Sequence, residues 1–358
     1  MSWFYRELVR PLLFRFESEA VHNATLEGLR LIAQSQFLLK GMRAIYGAAP
    51  LPVKLWDLTF PNPVGLAAGM DKQAAAIPVW EAMGFGFCEL GGVTWHAQPG
   101  NPAPRMFRAL RSESLVNRMG FNNPGAEFFA ANLAKWRCSG LWPKHPVGVN
   151  LGKSKITPLE KAAEDYAQSL QAVWRHADFF VINVSSPNTP NLRQLQDRAA
   201  LDEILAAAQS VNRQQALLAG RTPKPLLVKV APDLSFDALD EILELVGPRE
   251  LSGIVATNTT IERPPTTDAA TRSIYNQQGG LSGRPLRHRS TEVIRHLHRQ
   301  SKGKVPLIGV GGIFSASDAL EKFEAGATLV QVYSGLVYEG PGLVRSLVKG
   351  LIASTEKP

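Results

Sequence analysis

From about residue 53 onward, short runs of apolar residues alternate with longer stretches in which apolar positions recur every three or four residues. The runs cover 64–69, 87–93, 147–151, 179–184, 226–230, 253–257, 306–310 and 328–333. The stretches between and after them predict helices near 73–83, 123–136, 158–174, 200–216, 235–246, 291–300, 315–324 and 342–353. A strand with one face in water alternates apolar and polar residues. These runs are apolar almost throughout, which predicts a parallel sheet buried on both faces. Eight strand–helix units is the number that closes a (β/α)8 TIM barrel, so an α/β barrel is expected rather than an open doubly wound sheet. No linker, low-complexity tract or repeat beyond the strand–helix rhythm divides the region. Long insertions at 94–122, 185–199 and 258–290 follow the second, fourth and sixth strands, and in a barrel all three fall on the carboxyl-end rim.

The amino-terminal 45 residues carry a different pattern. Trp3, Phe4, Leu8, Val9, Leu12, Leu13 and Phe16 recur at helical spacing, with Arg6, Arg10 and Glu17 on another face. Pro11 is expected to kink or start a helix. A second helix is expected over about 18–35, with Ser18 as its N-cap and a narrow polar stripe of Asn23, Glu27, Arg30 and Gln34. Two units follow: a helical extension over 1–45 and a barrel over 46–358. The extension suits a helical pair in a bilayer interface, with Trp, Phe and Leu inserted and Arg at the headgroups. It equally suits a helical cap on its own domain. No run of about 18 apolar residues predicts a membrane-crossing helix, and Arg6, Glu7 and Arg10 break any signal-peptide core.

Composition narrows the chemistry. Of 358 residues 45% are apolar, enough for a large packed core, and the two cysteines, Cys88 and Cys138, exclude a disulfide scaffold. They are expected as buried thiols. A net charge of +8 suits an acidic ligand, an anionic membrane or nucleic acid. The basic residues are spread without aromatic interleaving, so no nucleic-acid binding is expected.

Polar residues recur at the carboxyl ends of the predicted strands, where burial without partners is costly. Asp71 and Lys72 follow the first, Thr94 the second, and Asn150, Asn183 and Lys229 end the third, fourth and fifth. Thr257 and Asn258 end the sixth, Gly311 and Gly312 follow the seventh, and Tyr333 and Ser334 close the eighth. This predicts a ring of donors around one cavity, with two lysines and almost no acid, for an anionic, planar or polar ligand and not for a metal. Gly309-Val310-Gly311-Gly312, paired with Ser334-Gly335, falls where barrels bind phosphate. Other templates fail. Gly148 lies one residue too close to Gly152-Lys153-Ser154 for a Walker loop, and no GxGxxG follows a first strand. The seven histidines show no metal-ligand spacing and are each expected at the surface or in a cap.

Asn183-Val-Ser-Ser-Pro-Asn188-Thr189 is the most specific stretch. Together with 67–72 (AAGMDK), 117–122 (NRMGFN), 256–259 (ATNT), 279–283 (GGLSG) and 309–313 (GVGGI), it resembles dihydroorotate dehydrogenase over essentially the whole chain. Ser186 stands where the cytosolic relatives carry a cysteine, and an amino-terminal extension is present. The chain therefore resembles the membrane-associated, quinone-reducing class, the alternative being a soluble enzyme using fumarate or a partner flavoprotein. The resemblance implies an FMN-dependent oxidation of dihydroorotate to orotate, a step of pyrimidine biosynthesis. The site is expected peripherally on the cytoplasmic side of a bacterial inner membrane, in a monomer. FMN would contact Ala68, Gly69, Lys72, Gly92, Asn150, Asn183, Lys229, Thr257, Gly283, Gly312, Tyr333 and Ser334. Dihydroorotate would lie on Lys72, Asn117, Arg118, Met119, Gly120, Phe121, Asn183, Asn188, Asn258 and Thr259, with Ser186 as the catalytic base. Arg108 and Tyr333 would meet the quinone head. Family members usually carry Thr or Ser where this chain has Gly92, so only a backbone contact carries over there.

Overall fold

The computed structural model describes residues 2–355, so the outermost residues of both expected units, 1 and 356–358, lie outside the described residues. Eight parallel strands close a barrel: β1 (Val64–Leu66), β2 (Phe87–Val93), β3 (Val147–Leu151), β4 (Phe179–Asn183), β5 (Leu226–Val230), β6 (Gly253–Ala256), β7 (Leu307–Val310) and β8 (Leu329–Val332). Each strand pairs with its sequence neighbours and β8 closes onto β1. All eight are the predicted runs, trimmed by up to three residues. The helices between them begin where side chains satisfy their free N–H groups. Asp197 accepts from Ala199 N at the start of Arg198–Ala219, Ser235 accepts from Ala238 N, and Ser315 with Asp318 forms a capping box.

The barrel bore is closed at its amino-terminal end by large side chains. Phe87, Phe179, Leu227 and Leu329 are fully buried there, and the antiparallel hairpin of Val53–Leu55 and Leu58–Phe60 packs Phe60 and Trp56 beneath them. Gly65 and Gly148 make this layer fit. A Cβ at either would stand 2.3 or 2.1 Å from the Phe87 or Phe179 ring. The hairpin was not foreseen, because two three-residue strands give too short a pattern.

The insertions at 94–122 and 258–290 meet in a three-stranded antiparallel sheet, Met106–Ala109, Ser114–Asn117 and Gly280–Gly283, across the carboxyl-end rim. The sheet delivers Asn117 to the mouth of the bore.

The extension holds three helical stretches rather than two. Residues 2–13 are helical with a π-turn over Tyr5–Val9, and Pro11 lies in the first turn of Arg10–Leu13. Proline has no N–H to donate, and just before it the Arg10 N–H reaches five residues back to Tyr5 O, which makes the π-turn. Ser18–Ala33 is capped by Glu17, whose carboxylate accepts from Glu19 N and Ala20 N, and not by Ser18. Two oxygens serve two N–H groups, and the Ser18 hydroxyl is engaged by Arg108. Gln36–Tyr46 is the third stretch, one residue beyond the expected boundary. No helix among the described residues is long and apolar enough to cross a membrane.

Candidate active site

Above the aromatic floor the bore turns polar. Glu89, the third residue of β2, is fully buried. Its Oε1 accepts from Asn150 Nδ2 at 2.6 Å and lies 3.7 Å from Lys229 Nζ, and its Oε2 accepts from Gln331 Nε2 at 2.6 Å. The expectation of a ring with almost no acid therefore needs correction: one carboxylate sits under it and balances Lys229. Glu89 and Gln331 escaped attention because they lie inside apolar strand runs rather than at the strand ends.

From Asn150 an amide relay climbs to the rim. Asn183 Nδ2 donates to Asn150 Oδ1 at 2.9 Å, and Asn258 Nδ2 donates to Asn183 Oδ1 at 3.2 Å. Backbone Thr259 N donates to Asn258 Oδ1 at 2.8 Å, and Ser185 Oγ to Asn183 Oδ1 at 3.0 Å. Asn150 and Asn183 have each spent the oxygen and one N–H on a neighbour, which leaves the second N–H to a ligand, whereas Asn258 also donates to Ser185 Oγ at 3.0 Å and has both N–H groups engaged.

These groups border one cavity, open at the rim. Ala68, Gly69, Lys72, Gly92, Asn117, Met119, Gly120, Phe121, Asn150, Asn183, Ser186, Asn188, Lys229, Thr257, Asn258, Thr259, Gly283, Gly312, Tyr333 and Ser334 all line it. Arg118 does not. Its guanidinium donates to Pro104 O and Gln277 Oε1 and lies over the Phe107 ring, bracing the rim sheet instead. Asp71 and Thr94 are also turned away. Asp71 accepts from Ala75 N, Ala76 N and Trp80 Nε1, and the Thr94 hydroxyl donates to His96 O.

Lys72 donates to Asn122 Oδ1 at 2.8 Å. Burial lowers its pKa to about 8, against the opposing pull of Glu19 and with a smaller push from Arg105. Ser186 is buried, and its Oγ accepts from Asn188 N at 3.3 Å. Arg193 staples this loop to the next: its guanidinium donates to Ser185 O and Thr259 O and pairs with Asp233 at 2.7 Å.

On the opposite wall, Gly312 (φ +71°) brings backbone to within contact of Arg287, where a Cβ would stand 2.4 Å from the arginine Cβ. The Ser334 hydroxyl shares a 2.8 Å hydrogen bond with Ser282. A Cβ at Gly92 would meet the Phe121 ring at 2.7 Å, so an aromatic face fills the space a side chain would take.

A planar heterocyclic cofactor suits this lining. Besides the donors, two acceptors at the cavity, Gln331 Oε1 and Asn188 Oδ1, are buried without a hydrogen-bond partner among the described residues. Groups left in that state await ligand N–H donors. No cluster of His, Cys, Asp and Glu among the described residues could hold a metal ion.

The extension docks beside the mouth. Arg105 pairs with Glu19 at 2.6 Å, and Arg108 donates to Ser18 Oγ at 2.9 Å, reaches Phe16 O and covers the Phe14 ring. Phe14, Leu115, Phe314, Tyr338 and Val337 form an apolar cluster that ends at Tyr333 on the cavity wall. Burial raises the Tyr333 pKa to about 12, so its phenol stays neutral. His22 is half-buried rather than a surface residue. Burial and the neighbouring Lys72 charge lower its pKa to about 4, with Glu19 opposing. His145 and His296 are buried as well, the latter 2.7 Å from Asp240 and stacked on Phe236. Of the cysteines, Cys88 is buried and Cys138 exposed.

The sequence pattern of one family, dihydroorotate dehydrogenase, matches residues 50–354. Among curated proteins, the dihydroorotate dehydrogenase (quinone) of Gloeobacter violaceus is 50% identical over 98% of this chain and 94% of its own. That of Thermosynechococcus vestitus is 49% identical over 99% and 97%. Among solved structures, dihydroorotate dehydrogenase from Eimeria tenella in complex with ferulenol superposes with a TM-score of 0.82 at 34% identity, covering 94% of this chain and 91% of that one. The ligand-free form gives 0.78 at 36% identity, over 90% and 93%.

Proposed function

The chain belongs to the dihydroorotate dehydrogenase family, in its quinone-dependent class, and from this premise we propose that its cavity oxidises dihydroorotate to orotate with a bound FMN, passing electrons to a membrane quinone. The observation that carries the reading is the gathering of Lys72, Lys229 and the amides of Asn150, Asn183 and Asn258 around Ser186 in one cavity.

Bound there, the flavin would supply the acceptor for the C6 hydride and the route by which the electron pair reaches quinone. The protein's residues do the rest. Gly283, Gly312, Tyr333 and Ser334 would hold the phosphate on backbone and hydroxyl donors. Ala68, Gly69, Gly92, Asn150 and Thr257 would border the ring, and Lys229 would set positive charge where accepted electrons place negative charge. Lys72 would pair with the dihydroorotate carboxylate, while Asn117, Asn183, Asn188, Asn258 and Thr259 would fix its ring amides and Met119, Gly120 and Phe121 close over it. Positioning of this kind supplies much of the barrier lowering. Ser186 would take the C5 proton. No His, Asp or Glu hydrogen-bonds its hydroxyl among the described residues, so the proton passes to another hydroxyl or to water. Thr189, three residues on, has a buried hydroxyl without a partner among the described residues.

The doorway for quinone would be the apolar cluster from Phe14 to Tyr333, with Arg108 beside it. Among the described residues, nine large apolar side chains of the extension are exposed, including Trp3, Phe4, Leu8, Leu12, Phe16 and Phe37. With Arg6 and Arg10 nearby, they would rest the molecule peripherally on an anionic bilayer at its cytoplasmic side. On this reading the chain works as a monomer of two units, an extension over 1–45 and a barrel over 46–358.

The test is made on purified protein. Its yellow colour should bleach anaerobically with dihydroorotate and return with ubiquinone. Return with fumarate instead would assign it to the soluble class, and a colourless protein would refute the flavin reading.

A further inference from the structure

Gln331, on β8, is buried at the cavity floor and donates Nε2 to Glu89 Oε2 at 2.6 Å. Its Oε1 has no partner among the described residues. A side-chain amide can be turned either way, but here its direction is imposed. A carboxylate accepts and cannot donate, so both Glu89 oxygens demand N–H groups. Oε1 faces Asn150 Nδ2 and Lys229 Nζ, and Oε2 takes Gln331 Nε2. The flipped amide would set oxygen against oxygen. Gln331 is therefore held with its oxygen left over, a buried acceptor bordering the cavity.

Lys229 and Gln331 lean on the two oxygens of one carboxylate, which sets a cationic donor beside a neutral acceptor. The pyrimidine edge of an isoalloxazine reads C2=O, N3–H, C4=O: acceptor, donor, acceptor. We propose that Gln331 is a flavin-binding residue whose Oε1 accepts the N3–H, next to Lys229 at the C2 carbonyl, and that Glu89 is the positioning residue that orients both. The proposal rests on the flavin reading above and deepens it. It assigns a task to two residues that neither touch dihydroorotate nor belong to the phosphate cradle.

The test uses the full chain, freed of flavin and reconstituted with FMN or with FMN methylated at N3, with dissociation constants read from quenching of flavin fluorescence. The methyl removes the donor and strands the Gln331 oxygen, so the wild-type protein should bind the analogue about tenfold or more weakly. Gln331→Met keeps the length and removes the acceptor, and its two constants should fall within about threefold of each other. Glu89→Gln can donate from one arm, frees Gln331 to turn, and should also narrow the wild-type ratio. A ratio unchanged in Gln331→Met overturns the proposal, because a clash of the methyl with any other wall would persist there. If that variant does not fold, Glu89→Gln decides on the same terms, a narrowed ratio supporting and an unchanged one overturning. Equal binding of both flavins by the wild type also overturns it. A wild type that binds neither flavin refutes the flavin reading and this proposal together, a result distinct from the others.

Discussion

Lys72 is the residue whose environment most directly predicts a pH dependence. Its pKa is lowered to about 8 from the ordinary 10.5, chiefly by burial. The ammonium is present below that value and lost as pH rises through it, while the orotate carboxylate stays ionised. Orotate affinity should therefore hold steady from pH 6.5 to 7.5 and fall about tenfold per pH unit above pH 8, followed by the perturbation of flavin absorbance. Ser186→Ala should retain flavin yet slow its reduction by dihydroorotate by about 10² or more, the usual scale for loss of a general base. Near-normal reduction in stopped flow would remove Ser186 from that role. Asn150, Asn183 and Lys229 were legible in the sequence because each is a polar residue at or beside the carboxyl end of an apolar run, where a barrel opens its site. Glu89 and Gln331 lie within their runs, where in a strand buried on both faces nothing separates a residue facing the bore from one facing the helices. Arg118 misled because it follows the strand end at Asn117 and spends its guanidinium on Pro104 O and Gln277 Oε1, turned out of the cavity.

At the scale of elements, the rim is assembled from loops that hold one another. Arg193 ties the Ser186 loop to the loop after β6 through Ser185 O and Thr259 O, anchored by Asp233. Arg193→Ala should lower the rate of flavin reduction about 10- to 100-fold while changing orotate affinity less, because small misplacement of reacting groups costs rate first. A proportional loss of both would mean that the loop contributes binding and not geometry. The eight strands and their helices were read correctly because they are long, periodic and capped. The hairpin plug and the rim sheet were not: their strands are only three or four residues long, and one strand of the rim sheet, Gly280–Gly283, comes from a different insertion than the other two. The extension was read as two helices although the polar run Gln34-Ser35-Gln36 interrupts its apolar pattern and Ser35 caps a third helix.

The whole molecule is a barrel with a plugged bottom, a polar middle and an open mouth, and its two ends answer to different demands. At the plug, Phe179→Ala removes a ring packed by Phe87 and Trp56, and should cost about 3–5 kcal/mol in denaturant unfolding, with the flavin spectrum unchanged. At the mouth, the extension is joined to the barrel through Arg105–Glu19, the Arg108 contacts and the cluster that ends at Tyr333. The central claim is that dihydroorotate and quinone exchange electrons through one flavin, and that only the quinone arrives by way of the extension. It is tested most directly by measuring both half-reactions, flavin reduction by dihydroorotate and reoxidation by ubiquinone, in the full chain and in a chain lacking residues 1–45. The account predicts equal reduction rates in the two proteins, with reoxidation and vesicle binding lost in the shorter one. Equal reoxidation, or a loss of both half-reactions from a folded barrel, would contradict it.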